Sequence, residues 1–281
     1  MNPFPNDVLA KPAPARSRVK ISIVTLSFNQ RAYLKEAIDS VLSQGYSDLE
    51  YIVVDPGSND GSREMIESYG KRIARTIFEP DRGAADGLNK GFACATGEVF
   101  GFLNADDVLF PGSLASVASF FKAHPDCDMA MGNGYKIDGR GEKTRHFVAR
   151  DFSVRRFFYG GTQWLQQATF FRADVFRRSP GFNLENRTCW DGELFVQIAD
   201  LGAKIGYIQE DLGGFRIHEA SISGSGRMNE QYQRDCRRIF RQLRGHEWKA
   251  TDELLRLLYR AEGVLKSLGA RIQMGAGKNA V

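Results

Sequence analysis

Cysteine is scarce in this chain, with four in 281 residues. Cys94, Cys127, Cys189 and Cys236 stand far apart and form no Cys-x-x-Cys pair. That spacing suits neither a zinc site nor a disulfide framework, so free thiols in a reducing compartment are expected. Long apolar runs are missing too. No segment approaches the ~20 consecutive apolar residues of a membrane-spanning helix, and the N-terminal stretch has no extended apolar signal core. The expectation is a cytoplasmic protein. No Gly-x-Gly-x-x-Gly follows the first apolar run, which argues against a dinucleotide-dependent dehydrogenase. Nor does charge of one sign dominate: 38 Lys and Arg against 34 Asp and Glu leave +4. Such a mild excess suits anionic ligands or an anionic surface and does not point to nucleic acid.

What is present is ordinary globular composition, 42% hydrophobic and 26% charged, in a chain long enough to bury a large core. Residues 1–18 hold four prolines and little periodicity and are expected to be a flexible leader. From Val19 on, apolar runs alternate with helical patterns. Ile21 to Phe28, Tyr51 to Val54, Arg75 to Phe78 and Val99 to Leu103 read as strands. Between them fall a helix over Leu34–Leu42, which Asn29 could cap and Gly45 would stop, one starting near Asp60 or Ser62, and one over Ala84–Ala95. This alternation predicts an α/β fold with a mostly parallel, Rossmann-like central sheet flanked by helices. After residue 112 the rhythm is less regular. Strands are expected over Asp128–Gly134, Tyr135–Val148, Ile205–Ile208 and Gly214–Ile217, and a helix over Glu193–Leu201. Two amphipathic helices close the chain. One has an apolar stripe of Met228, Tyr232, Cys236, Ile239, Phe240 and Leu243, opposite Arg234, Arg237, Arg238, Arg241 and Arg244. The other has Leu254, Leu258, Ala261, Leu265 and Leu268. The arginine face fits a solvated surface, an anionic membrane or a second subunit.

Polar clusters fall at the ends of the apolar runs, the rim where open α/β sheets bind ligands. Asn104-Ala105-Asp106-Asp107 ends a buried run with two adjacent carboxylates. Such a pair also serves as a turn and helix cap, but it suits a hard divalent cation holding a diphosphate. Thr25, Ser27 and Asn29 end the first strand and can meet a base or ribose. Asp55 and Ser58 lie in a Gly- and Ser-rich loop after the second, where a carboxylate can accept from an imide or a sugar diol. Asp86, Asn89 and Lys90 lie about one turn apart on the helix that follows Glu79-Pro80-Asp81-Arg82-Gly83, whose N-terminus suits phosphate. Trp190-Asp191-Gly192-Glu193 opens a late helix with two acids, and Phe215-Arg216-Ile217-His218 follows a short strand. Gln166–Phe170, with Phe157, Phe158, Tyr159 and Trp164, suits either core or an acceptor-facing wall.

In this order the blocks resemble the family 2 glycosyltransferases of the GT-A fold, inverting enzymes that build bacterial surface polysaccharides. The resemblance runs from Ile21 to Ser223. It rests on SIVTLSFNQ, YIVVDPGSNDGS, EPDRGAADGLNKGFACATGEVFGFLNADD, QQATFFRADVF, WDGELFVQIADLG and FRIHEASIS. It implies a glycosyltransferase domain over 19–223, with a nucleotide-sugar half to about residue 112 and an acceptor half from 113, and a C-terminal helical appendage over 224–281. It implies a nucleoside-diphosphate sugar donor, a glycan or lipid-linked acceptor, and Mn²⁺ or Mg²⁺. Asp55 then binds the nucleotide with Thr25, Ser27, Asn29, Ser58, Asp86, Asn89, Lys90 and Asn104. Asp106 holds the metal-bound diphosphate, with Asp107 and His218 as further metal ligands. Asp191 is the catalytic base, with Glu193 beside it as the alternative. Arg216, with His218, is a contact for phosphate. Asn104 stands where the first acid of an Asp-x-Asp motif is common, and Pro56 replaces a smaller residue. The competing readings are a sugar nucleotidyltransferase, which would carry a Gly-rich basic loop where Ser27-Phe28-Asn29-Gln30 stands, and a non-catalytic sugar-binding module, which would have lost one of the acids. Peripheral contact with the inner membrane face and a homodimer are the two associations the C-terminal helices leave open.

Overall fold

A computed structural model describes residues 18–219, 221 and 227–276, with side chains through 263. The expected leader lies outside the described residues but for Arg18, as do the side chains of Leu265 and Leu268.

The first half forms as its periodicity predicts. β1 (Ile21–Leu26), β2 (Leu49–Val54), β3 (Arg75–Ile77) and β4 (Val99–Asn104) run parallel in the order β3-β2-β1-β4. Side chains alternate across a strand, so the sheet buries both faces. Ile21, Ile23, Tyr51 and Val53 share one core with Leu34, Ala37, Ile38 and Val41 of α1 (Arg31–Leu42) and Ile66 of α2 (Ser62–Ser68). Val24, Ile52 and Val54 share the other with Ala85, Leu88 and Phe92 of α3 (Ala84–Ala93). α3 approaches closely because Gly91 faces the sheet; a Cβ there would stand 2.5 Å from a Val24 methyl.

The second half departs from the expected plan. β5 (Val108–Leu109) and α4 (Ser113–Ala123) are followed by one long strand, β6 (Met129–Ile137). The predicted strand over Tyr135–Val148 is broken where Asp138 Oδ1 accepts from the amides of Arg140 and Glu142, closing a hairpin to β7 (Lys143–Phe147). The two short strands expected at Ile205–Ile208 and Gly214–Ile217 are one, β9 (Ile205–Arg216). Register shifts against β6 at Gly132–Gly134 absorb the polar Gln209-Glu210-Asp211 between them. β8 (Thr169–Arg172) joins the halves, antiparallel to both β4 and β6. The sheet continues β4-β8-β6-β9-β5, with β7 on β6, so only its first half is uniformly parallel.

α5 (Val154–Tyr159), α6 (Ala173–Arg178) and α7 (Trp190–Asp200) cover this half, and α8 (Asn229–Arg244) and α9 (Ala250–Ala276) follow. The aromatic stretch is core: Phe158 and Tyr159 pack on Phe240 of α8, and Trp164 on Phe195 of α7. α9 docks by a face other than the expected one. Tyr159 donates to Asp252 at 2.7 Å and stacks on Tyr259, and Arg156 pairs with Glu262. Leu254, Leu257 and Leu258 are left 59%, 55% and 58% exposed. Among the described residues, no helix is long and apolar enough to cross a membrane.

Candidate active site

Leu26, Val54 and Asn104 are level in the sheet register. The residues just beyond them therefore form one rim. Asp55 organises it from within. Its wholly buried carboxylate accepts from Ser27 Oγ (2.9 Å), Ser58 Oγ (2.6 Å), the amides of Gly57 and Ser58, and Arg63 Nε (3.2 Å). Burial raises the pKa of such a group, but the hydroxyl and amide donors outweigh it and hold Asp55 below the usual carboxylate range. Asn29 does not cap α1. In a left-handed turn (φ 51°) it bonds through its amide to Ser58 Oγ and through Oδ1 to the Asn59 amide, tying the first loop to the second. Asp60 receives the Arg31 amide at the start of α1 instead. Thr25 lies inside the strand on the α1 face, fully buried, and accepts from the Tyr51 hydroxyl at 3.0 Å. Its place is core packing because strand parity turns it away from the rim.

The second cluster joins residues 104–107 to 216–218. Asp106 Oδ2 lies 3.1 Å from His218 Nε2, and both side chains retain some exposure. Asp107 is fully buried; it accepts from the Arg216 amide (2.8 Å) and from Asn104 Nδ2 (3.2 Å). Burial and the adjacent Asp106 charge push its carboxyl well up. Asp107 is thus turned into the fold rather than toward an open ligand position. Arg216 is also taken up internally. Nε and Nη1 donate to the carbonyls of Asp106 and Asp138, and Nη2 to Glu36. Tyr33 of α1 lies against both Arg216 and His218.

The third cluster leads into α3. Asp86 is held by Arg82 and Lys90, whose charges and hydrogen bonds overcome its burial and lower its pKa. Lys90 also donates to the Pro80 carbonyl. Both amide atoms of Asn89 bond the backbone of Phe182, so Asn89 clamps α3 to the second half of the chain. Gly83 has φ 117° and leaves room for Arg187, whose Nη1 donates to the Arg82 carbonyl.

The fourth cluster opens α7 and separates its two acids. Glu193 is fully buried. Arg238 of α8 grips its two oxygens at 2.7 Å each, and Asn183 and Asn186 add further bonds. Asp191 is only partly buried and, among the described residues, receives no side-chain hydrogen bond or ion pair. Desolvation raises its pKa to about 6, against the opposing amides of Gly192 and its own N–H. The neighbouring Gly192 faces a segment that leads to the acid rim. Asn104 lies 3.4 Å from Gln166 Oε1, and Trp164, two residues back, packs against Gly192.

Two further rim residues lie within blocks that the sequence singled out without giving them a role. Phe28, 59% exposed, follows β1 at the rim. Asp81, its carboxyl raised by burial, stands 2.8 Å from where a Gly87 Cβ would be. The Glu-Pro-Asp-x-Gly run was the available signal for Asp81. The residues that could hold a divalent cation are Asp106 and His218, a carboxylate and an imidazole 3.1 Å apart. Among the described residues no cluster of three or more acidic, His or Cys ligands exists. A cation here would complete its shell from phosphate and water, as such ions commonly do.

Comparison with known proteins gives a consistent result. The profile described as glycosyl transferase family 2 matches residues 22–178. An uncharacterized glycosyltransferase of Nostoc sp., alr2836, is 33% identical over 231 residues, covering 76% of this chain and 70% of that protein. The O-antigen biosynthesis protein RfbC of Myxococcus xanthus is 29% identical over 75% of this chain, which spans only 16% of RfbC. Among solved structures, S. aureus TarS 1–349 with UDP-GlcNAc superposes with a TM-score of 0.65 at 17% identity, over 85% of this chain and 71% of that one. The mannosyltransferase PcManGT of Pyrobaculum calidifontis, with GDP-Man and Mn²⁺, gives 0.62 at 18% identity, over 97% of this chain and 85% of that one. The last two share the fold: a central sheet flanked by helices, of the GT-A glycosyltransferase type.

Proposed function

The chain belongs to glycosyl transferase family 2 and is a glycosyltransferase, and we propose that it transfers a sugar, with inversion, from a nucleoside-diphosphate sugar to a hydroxyl of a growing surface glycan. The observation that carries this reading is Asp191. It is a desolvated carboxylate with a pKa near 6, unpaired by any other described side chain. Such a group suits a general base working near neutrality, which takes the proton of the acceptor hydroxyl as that oxygen attacks the sugar. Asp106 and His218 would hold the metal, which when bound supplies charge stabilisation to the departing diphosphate. The nucleoside lies on the rim, with Phe28 offering a face to the base and the Ser27–Asp55–Ser58 loop fixing the backbone around it. Arg82 and the start of α3 lie on the phosphate side. The donors of TarS and PcManGT and the O-antigen role of RfbC support donor and pathway class. The arginines of α8 and exposed leucines of α9 suit a lipid-linked acceptor at a membrane face.

A panel of UDP-, GDP- and dTDP-sugars with Mn²⁺ or Mg²⁺ tests this, with nucleoside-diphosphate release and thermal shift followed together. One donor is expected to stabilise the protein and turn over, and both responses are expected to vanish with chelator or in Asp106→Ala. Turnover that survives chelation and Asp106→Ala unchanged would reject the metal assignment.

A further inference from the structure

α8 lies well outside the matched family segment, yet it reaches the first turn of α7. Arg238 grips Glu193, two residues from Asp191. Three residues earlier on α8, the buried Asp235 accepts from Thr188 Oγ1 (2.7 Å) and from the Arg187 amide (3.2 Å). Asn186 bridges the two contacts: its Nδ2 donates to Glu193, and its Oδ1 accepts from the amides of Thr188 and Cys189. Every residue from 186 to 189 is thereby fixed to α8 or to Glu193. The same segment carries Arg187, whose guanidinium bonds Arg82 on the donor side. Tyr232 of α8 also lies near Asp191. Partial desolvation, the sulfurs of Cys236 and Cys189, and the Asp191 charge together push its phenol up, although 47% of the residue stays exposed.

We infer that α8 is a working part of the active site: Arg238 and Asp235 are positioning residues that hold the 186–193 segment so that Asp191 meets the acceptor while Arg187 braces the donor loop. This rests on the reading of Asp191 as the base. On an α-helix, residues two apart do not share a face. Glu193 can therefore be clamped from one side while Asp191 is left clear. The buried pair supplies a fixed register for that turn rather than net stability, since two desolvated charges roughly offset their own attraction. Lysine cannot replace the fork of Arg238, because an ammonium meets the two carboxylate oxygens as a point charge.

The test uses the full chain with UDP-GlcNAc and GDP-mannose, each with Mn²⁺, and measures donor turnover and amide hydrogen exchange. Arg238→Ala leaves Glu193 buried alone, so the double variant Glu193→Gln/Arg238→Met, which removes both charges, runs beside it. The expected result is a kcat about 10²-fold lower with donor KM within about threefold, since small misplacements cost that much. Arg238→Lys should recover part of the loss, and Gln233→Ala, exposed on the same helix, should match wild type. Exchange should rise over residues 186–193 and stay unchanged over 25–30. A double variant with kcat within twofold of wild type, or with unchanged exchange at 186–193, overturns the inference. Full transfer in Asp191→Asn would instead overturn the assignment of the base, a separate outcome.

Discussion

The rim at the strand ends and the start of α7 each carry aspartates at the end of a regular element, and the fold treats them in opposite ways. At the rim, Asp55 meets five donors and is held strongly ionised. At α7, Asp191 meets only two backbone amides and is desolvated toward neutrality. The pattern repeats within each region: Asp107 is buried beside the more open Asp106, and Glu193 is clamped beside the clear Asp191. One acid of each pair is taken up by internal partners, and the other stays more open; in the proposed function the open one carries the chemistry. The difference shows that carboxylate identity and proximity do not assign a role. Burial and the partners around each group set its state.

The largest expected effect of breaking this division is on Asp191. Asp191→Asn should lower transfer about 10³-fold, the scale of a lost general base, with donor affinity little changed by titration calorimetry. The same substitution should not destabilise the fold. A carboxyl whose folded pKa lies above its unfolded value costs stability above the folded pKa and none below the unfolded one. Asp191→Asn should therefore gain stability above about pH 6 and lose that gain by about pH 4.

Asp55→Ala should behave in the reverse manner. It orphans several buried donors, and urea unfolding at pH 7 should show a loss of roughly 2–4 kcal/mol. Because the folded pKa of Asp55 is lowered, its contribution is complete above the unfolded value near 4 and falls away as the pH drops through the folded one. The gap between wild type and Asp55→Ala should narrow in acid. A neutral effect on stability would place Asp55 with Asp191 and dissolve the contrast. The smallest effect belongs to α9. Leu254→Ser with Leu258→Ser should change unfolding free energy by less than about 0.5 kcal/mol per residue, as exposed positions do. A loss above 2 kcal/mol would show that the leucine face is covered.

Much of this was legible in the chain. The alternating runs gave β1 to β4 and α1 to α3 because each strand is buried on both faces, and the acidic strand ends located the rim. Parity hid the place of Thr25, since its partner Tyr51 lies on the neighbouring strand. The sequence left Asp191 and Glu193 as alternatives because the residue that takes up Glu193, Arg238, is 45 positions away. The α9 stripe misled because a leucine periodicity marks an apolar face without saying that anything packs on it. Here the polar contacts of Asp252 and Glu262 set the docking side. The long β9 was missed because its middle is polar and its bulges cannot be read from hydropathy.

The most direct test is the pH dependence of transfer from pH 4.5 to 8 at saturating donor and metal. The account predicts an acid limb with a midpoint near 6 in wild type and none in the residual activity of Asp191→Asn. A flat profile across that range, or an acid limb that persists in Asp191→Asn, would contradict it.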